Sequence, residues 1–311
     1  MAVRMDEPRP AGPTGPMALT REGLAQEVLT PGRLFWRRFR RNRLAVAGAL
    51  ILLILSLISL GAPWIAPHDR DATNPYLREA PPSREHLLGT DKLGRDVLSR
   101  LIWGGRVSMT VGLVAVSISL SVGIILGSIA GYFGGVVDNV IMRLVDIVMS
   151  FPYLLLLIVV ASILKPSIYN TMMVIGFLSW TGVARLVRGE FLSLRQRDFV
   201  EAARAAGAPP ARLIFRHILP NAFAPIVVAG TLGVASAILA EAGLSFLGLG
   251  VRPPIPSWGN MLTDAQSLRI LTLKWWLWIP PGVMIFLAVI SINLVGDGLR
   301  DALDPRLMRR G

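Results

Sequence analysis

Cysteine is absent from the 311 residues, which excludes disulfides, thiolate nucleophiles and cysteine-based metal centres. Only three of the 32 basic residues are lysines. A phosphate-cradling loop needs Gly-Lys followed by Ser or Thr, yet Lys92 follows Asp91, Lys165 follows Leu164 and Lys274 follows Leu273. Nucleotide hydrolysis by this chain is therefore not expected. Histidine is as scarce: His68, His86 and His217 lie far apart, in no His-Glu-x-x-His or other ligand spacing, and predict no metal site. Gly243-Leu-Ser245-Phe-Leu247 lacks the second glycine of a nucleophile elbow, so no hydrolase reading stands. Charge is sparse as well, 17% of residues against about 25% in ordinary soluble domains.

Apolar sequence fills that space: 53% of the chain is hydrophobic, the mean hydropathy is +0.56, and the excess is segmented. Uncharged runs cover Leu44 to Pro67, Val107 to Val137, Ile147 to Leu164, Pro166 to Ala184, Ile218 to Ala240 and Trp275 to Gly296. Each is near or above the roughly 18 to 20 residues that span a bilayer as a helix. An all-α polytopic membrane protein with six transmembrane helices over residues 44–308 is expected, the third and fourth forming a tight hairpin around Lys165 and Pro166. The formal charge of +12 does not mark a nucleic-acid binder, because the basic residues flank apolar runs. Arg33, Arg37, Arg38, Arg40, Arg41 and Arg43 precede the first run and place the N-terminus in the cytoplasm. Six spans return the C-terminus there, with 18 basic residues on inner segments and 11 on outer ones.

Residues 33–43 interleave Leu34, Phe35, Trp36 and Phe39 with arginine, the pattern of a short interfacial helix on an anionic leaflet. Before it, residues 1–32 hold five prolines and scattered charge and read as a disordered cytoplasmic tail. The loop 68–106 reads as a folded external segment, its seven basic residues nearly balanced by six acids.

The most polar inner segment, 188–220, predicts a helix, a tight turn and a second helix. Asp198 is placed to cap a helix through Ala206, and Gly207 to stop it. Pro209 and Pro210 enforce the break, and a short helix from Ala211 to Leu219 precedes Pro220. Ala202, Ala203, Ala205 and Ala206 offer a close-approach surface, rimmed by Arg204, Arg212 and Arg216. Within the apolar runs, Glu241 has two readings: lining a translocation path, or capping the external end of its span beside Gly243 and Ser245. Arg143 and Asp146 have i, i+3 spacing for an ion pair, with Asp138 nearby. Pro152, Pro225, Pro280 and Pro281 are placed to bend spans.

Glu201-Ala-Ala-Arg-Ala-Ala-Gly207 with Leu219-Pro220 resembles the EAA signature of ABC importer permeases, except that His217 stands where that pattern has Ile. Three further segments are similar to the second permease subunit of dipeptide and oligopeptide importers. The first is Leu88-Gly-Thr-Asp91 with Gly94 to Arg100 and Gly105-Arg-Val-Ser108. The second is Leu244 to Gly250 with Ser257-Trp-Gly-Asn260. The third runs from Asn293 through Gly296 to Pro305. The resemblance implies a type I ABC importer permease fold in the bacterial cytoplasmic (inner) membrane, and a transport subunit that is not itself an enzyme. It implies a second homologous permease, two cytoplasmic ATPases that hold ATP and Mg, and an extracytoplasmic binding protein. Glu201, Ala202, Ala203, Gly207, Arg212, Arg216, Leu219 and Pro220 would then couple to an ATPase, and Glu241, Ser245 and Asn293 would face the path. Peptides are the implied substrate, nickel and glutathione the alternatives; an ion-gradient-driven secondary transporter is the rival class.

Overall fold

The computed structural model describes residues 31–303; of the tail expected over residues 1–32, residues 1–30 lie outside them, as does the sequence from Asp304 on, while Pro31 and Gly32 open the first helix. Among the described residues the structure is helical, with one isolated bridge between Thr90 and Asp96. The principal helices are α1 (Pro31–Arg41), α2 (Arg43–Leu60), α3 (Val97–Phe133), α4 (Gly135–Met149), α5 (Tyr153–Ile163), α6 (Ile168–Leu194), α7 (Asp198–Ala205), α8 (Pro210–Phe246) and α9 (Ile279–Leu303).

Helices α2, α3, α8 and α9 are long and apolar enough to cross a membrane, and α4 with α5 makes a fifth span if the bent pair counts as one. The expected count of six needs α6 as well, whose second half carries Arg185, Arg188 and Glu190. The third expected span is not one straight helix. The chain bends by 85° between α4 and α5, where Pro152 cannot continue the ladder of the helix before it. The second begins earlier than its apolar run, because Asp96 caps α3 by accepting from Ser99 N at 2.7 Å. At 37 residues, α3 is about 55 Å long and outreaches a hydrocarbon core of about 30 Å.

Lipid supplies no hydrophobic drive between helices, so close backbone approach has to hold the bundle together. The most extensive contact, α3 on α6, is built that way. Gly123, Gly127 and Gly131 form a small-residue stripe on α3. A Cβ at Gly127 would lie 2.5 Å from the Ala184 carbonyl oxygen, and one at Gly131 2.5 Å from Phe191 Cβ. From the opposite side, a Cβ at Gly176 would lie 2.8 Å from Ala115 O. Gly127→Val is expected to force these helices apart and cost about 1 to 3 kcal/mol. Membrane-folded protein and its unfolding midpoint in detergent should both fall; an unchanged midpoint would refute the seam.

α2 packs on α9 by the same device, with Gly48 against the Ser291 carbonyl. Its other face leaves Leu50, Leu53 and Leu57 exposed, as a lipid-facing surface requires. The basic N-terminal stretch is helical as α1: Phe39 is buried with Ala45 and Ala302, while Trp36 stays exposed. Asn42 then caps α2 through Ala45 N and donates to Asp301 of α9.

Candidate functional site

The polar segment between α6 and α8 folds into a knob rooted in the bundle. Arg197, not Asp198, holds the N-cap position of α7 and makes no side-chain cap bond. Asp198 and Glu201 instead occupy the first turn, where their charge complements the helix dipole. Val200 is fully buried with Phe191 of α6 and with Leu213, Ile214 and Ile218 of α8. The helix ends in a Schellman motif: Ala208 N donates to Ala203 O at 3.1 Å and Gly207 N to Arg204 O at 3.0 Å. Gly207 sits at φ +81°, the left-handed region that favours glycine, and among the described residues nothing beyond its two chain neighbours lies within 4 Å of where its Cβ would be. Glu201, Ala202, Arg204, Ala205, Ala206, Arg212, Arg216 and Pro220 are exposed, while Ala203 and Leu219 are half-buried.

No separate helix runs from Ala211 to Leu219. α8 is continuous from Pro210 through a π-helical turn, Leu213–Ile218. Pro220 lies in the first α turn after it, where a missing N–H is tolerated. Ile218 is fully buried in the position next to His217, so the apolar anchor of the motif survives one residue on.

Glu241 is fully buried, and both its oxygens are engaged: Ser108 Oγ donates to Oε2 at 3.0 Å and Ser245 Oγ to Oε1 at 2.7 Å. Each hydroxyl accepts in turn, Ser108 from Trp258 N at 3.1 Å and Ser245 from Val251 N at 3.1 Å. The carboxylate thereby ties α3, α8 and the segment 247–258 together. Close packing completes the tie. A Cβ at Gly105 would meet Trp258 at 2.8 Å, and one at Gly259 would meet Ala242 Cα at 2.5 Å. Trp258 Nε1 donates to Leu101 O at 3.0 Å. The sequence motifs around Ser108, Ser245 and Ser257 are thus one interhelical lock. Asn293, grouped with Glu241 and Ser245 from sequence, is exposed on α9 and outside it.

The expected pairing of Arg143 with Asp146 gives way to longer-range partners. Arg185 Nη2 donates to Asp146 Oδ1 at 2.8 Å, and Arg188 makes a two-pronged contact with Asp138. Helical spacing shows only same-helix neighbours, whereas the fold lays α6 beside α4. The histidines do not stay apart either. The segment after α2 brings the His68 and His86 rings to 4.7 Å between centroids, beside Asp96. A groove of about 330 Å³ lies between α3, α6 and α8, lined by small and hydroxyl residues that include Ser119, Ser179, Gly182, Gly230 and Ser236.

A bundle of long apolar helices with a glycine seam, from which one rigid polar knob projects, defines an integral membrane permease. The chain belongs to the ABC importer permeases described as binding-protein-dependent transport system inner membrane components, which residues 123–309 match. Residues 30–82 match the N-terminal TM domain of oligopeptide transport permease C. The chain is 45% identical over 284 residues to the dipeptide transport system permease protein DppC of Haemophilus influenzae, covering 89% of this chain and 96% of that one. It is 42% identical to the glutathione transport system permease protein GsiD of Pectobacterium atrosepticum, covering 91% and 93%. Among solved structures, the inward-facing MetNI methionine ABC transporter shares the fold, with TM-score 0.53 and 17% identity over 68% of this chain and 95% of that one. The all-helical type I importer fold and the second-permease type anticipated from sequence both stand.

Proposed function

We propose that this chain is one of two non-identical permeases of an ATP-driven peptide importer. Its knob, Glu201 to Gly207 with Arg212, Arg216, Leu219 and Pro220, seats in a cytoplasmic ATPase that holds ATP and Mg. The observation that carries the proposal is the knob itself, anchored by Val200 at its base and closed by a positive-φ glycine whose outer side is open. Movement imposed there passes through the Phe191 and Ile218 packing directly into α6 and α8. Peptide is favoured as cargo by the 45% identical dipeptide and di/tripeptide permeases. Glutathione, itself a small peptide, is the second reading, supported by the 42% identical glutathione permeases. The groove between α3, α6 and α8 is the surface on which the second permease would complete a path, with Asn293 a further candidate on α9. An extracytoplasmic binding protein delivers substrate to the side that carries residues 68–106.

Reconstitution tests this reading. The chain alone in vesicles should show neither ATP hydrolysis nor peptide uptake, and adding ATPases alone should not restore transport. The second permease, ATPases and binding protein together should support peptide-stimulated hydrolysis. ATP-independent uptake by the lone chain, collapsing with a proton gradient, would favour a secondary transporter instead.

Orientation is tested separately, with both termini assigned to the cytoplasm. Arg84 and Ala211 are exposed, and the chain has no cysteine of its own. A cysteine at Arg84 should react with an impermeant maleimide from outside intact cells, and one at Ala211 only after permeabilisation. Labelling of both from one side would overturn the topology.

A further inference from the structure

We infer that His68, His86 and Asp96 form a divalent transition-metal site of the zinc type that staples the segment following α2 to the start of α3. One donor atom from each lies within 4.8 Å of the others. Asp96 Oδ1 is 2.9 Å from His86 Nδ1 and 3.7 Å from His68 Nδ1. Those spacings straddle the roughly 3.3 Å that separates ligands about 2.0 to 2.1 Å from a tetrahedral zinc. The site is held from behind as metal sites are. Asp96 Oδ2 is committed to capping α3 through Ser99 N at 2.7 Å, which aims Oδ1 at the histidines. Ser99 Oγ accepts from His68 N at 3.0 Å, and Ser83 Oγ accepts from His86 N at 3.0 Å.

A proton alone leaves the cluster incomplete. It joins His86 to Asp96, but His68 Nδ1 then remains buried with no hydrogen-bond partner. A divalent ion satisfies all three donors at once. Two imidazoles with one carboxylate suit zinc rather than magnesium or calcium, which prefer oxygen. Arg100, one turn along α3, does not compete for Asp96, because it is engaged with Asp71 and Asp91 at 3.7 and 3.6 Å. Three protein ligands leave a coordination position open. The His68 side chain is 34% exposed, so that position has access from solvent.

Zinc and cobalt binding to the full chain in detergent tests the site without reference to transport. The chain is purified through an affinity tag without histidines, stripped with chelator and titrated with Zn²⁺. Wild type should hold about one ion per chain by mass spectrometry of metal content, and Co²⁺ should give visible ligand-field bands. Asp96→Asn keeps a good helix cap but replaces the charged ligand. His68→Gln removes the orphaned nitrogen. Losing a supporting group alone costs about 10- to 100-fold in affinity, so each variant should bind at least about 100-fold more weakly and lose the cobalt bands, with unchanged helical circular dichroism. Equal, substoichiometric zinc in wild type and variants, or cobalt bands that survive Asp96→Asn, would overturn the site.

Discussion

Gly207→Val is expected to abolish ATP-driven uptake while leaving insertion and membrane abundance intact. Among the described residues the substitution meets no clash with packed neighbours, since nothing beyond the two adjoining residues lies within 4 Å of the added Cβ. What it meets is the backbone at φ +81°, where an ordinary residue is disfavoured by about 1 to 2 kcal/mol and a β-branched one by more. The Schellman bonds of Ala208 and Gly207 depend on that conformation, and they aim the Ala202, Ala205 and Ala206 surface outward. Each 1.4 kcal/mol lost from docking is about a factor of ten, so uptake should fall by at least about tenfold. The root at Val200, buried inside the bundle, should hold. Gly207→Asn separates two causes, because asparagine tolerates the left-handed region. Near-normal coupling in Asn with loss in Val would assign the requirement to backbone conformation, and loss in both to a partner surface pressed against the glycine. Unchanged uptake in Val at equal abundance would count against docking through this knob.

The knob was readable in advance because its determinants are local. A glycine followed by two prolines ends one helix and starts another whatever surrounds them. The helical class was equally plain, since runs of uncharged residues have one inexpensive conformation in lipid. What escaped were features fixed by helices distant in sequence. Asp146 had a same-helix candidate in Arg143, and nothing local announced that Arg185 and Arg188 would take both acids of α4. The bend before α5 was legible, because Pro152 was placed to bend its span, but its extent of 85° was not. Gly123, Gly127 and Gly131 do stand in the sequence with the period-four spacing of a membrane helix seam, a signal overlooked beside the hydropathy. His68 and His86 carry no such mark: they meet Asp96 only through the folding of the loop between α2 and α3.

Glu241 shows what a sequence can announce without resolving, and its substitution separates a structural from a transporting carboxylate. Both serine hydroxyls point their single protons at it, and so are free to accept from Trp258 N and Val251 N. Glu241→Gln keeps the shape but offers an NH₂ where one hydroxyl needs an acceptor. That serine must either face a donor or turn, and a hydroxyl proton turned away from the introduced amide is left without an acceptor. An orphaned buried donor costs about 1 to 3 kcal/mol, so the unfolding midpoint in detergent should fall measurably. Ser108→Ala should cost a similar amount, because it strips Trp258 N of its acceptor. The double variant should cost less than the sum, since both changes break one network. A variant Glu241→Gln with wild-type stability and lost peptide uptake would move this carboxylate from the interhelical lock to the translocation path. Reduced stability with uptake reduced only in proportion to folded protein would keep it where the two serines hold it.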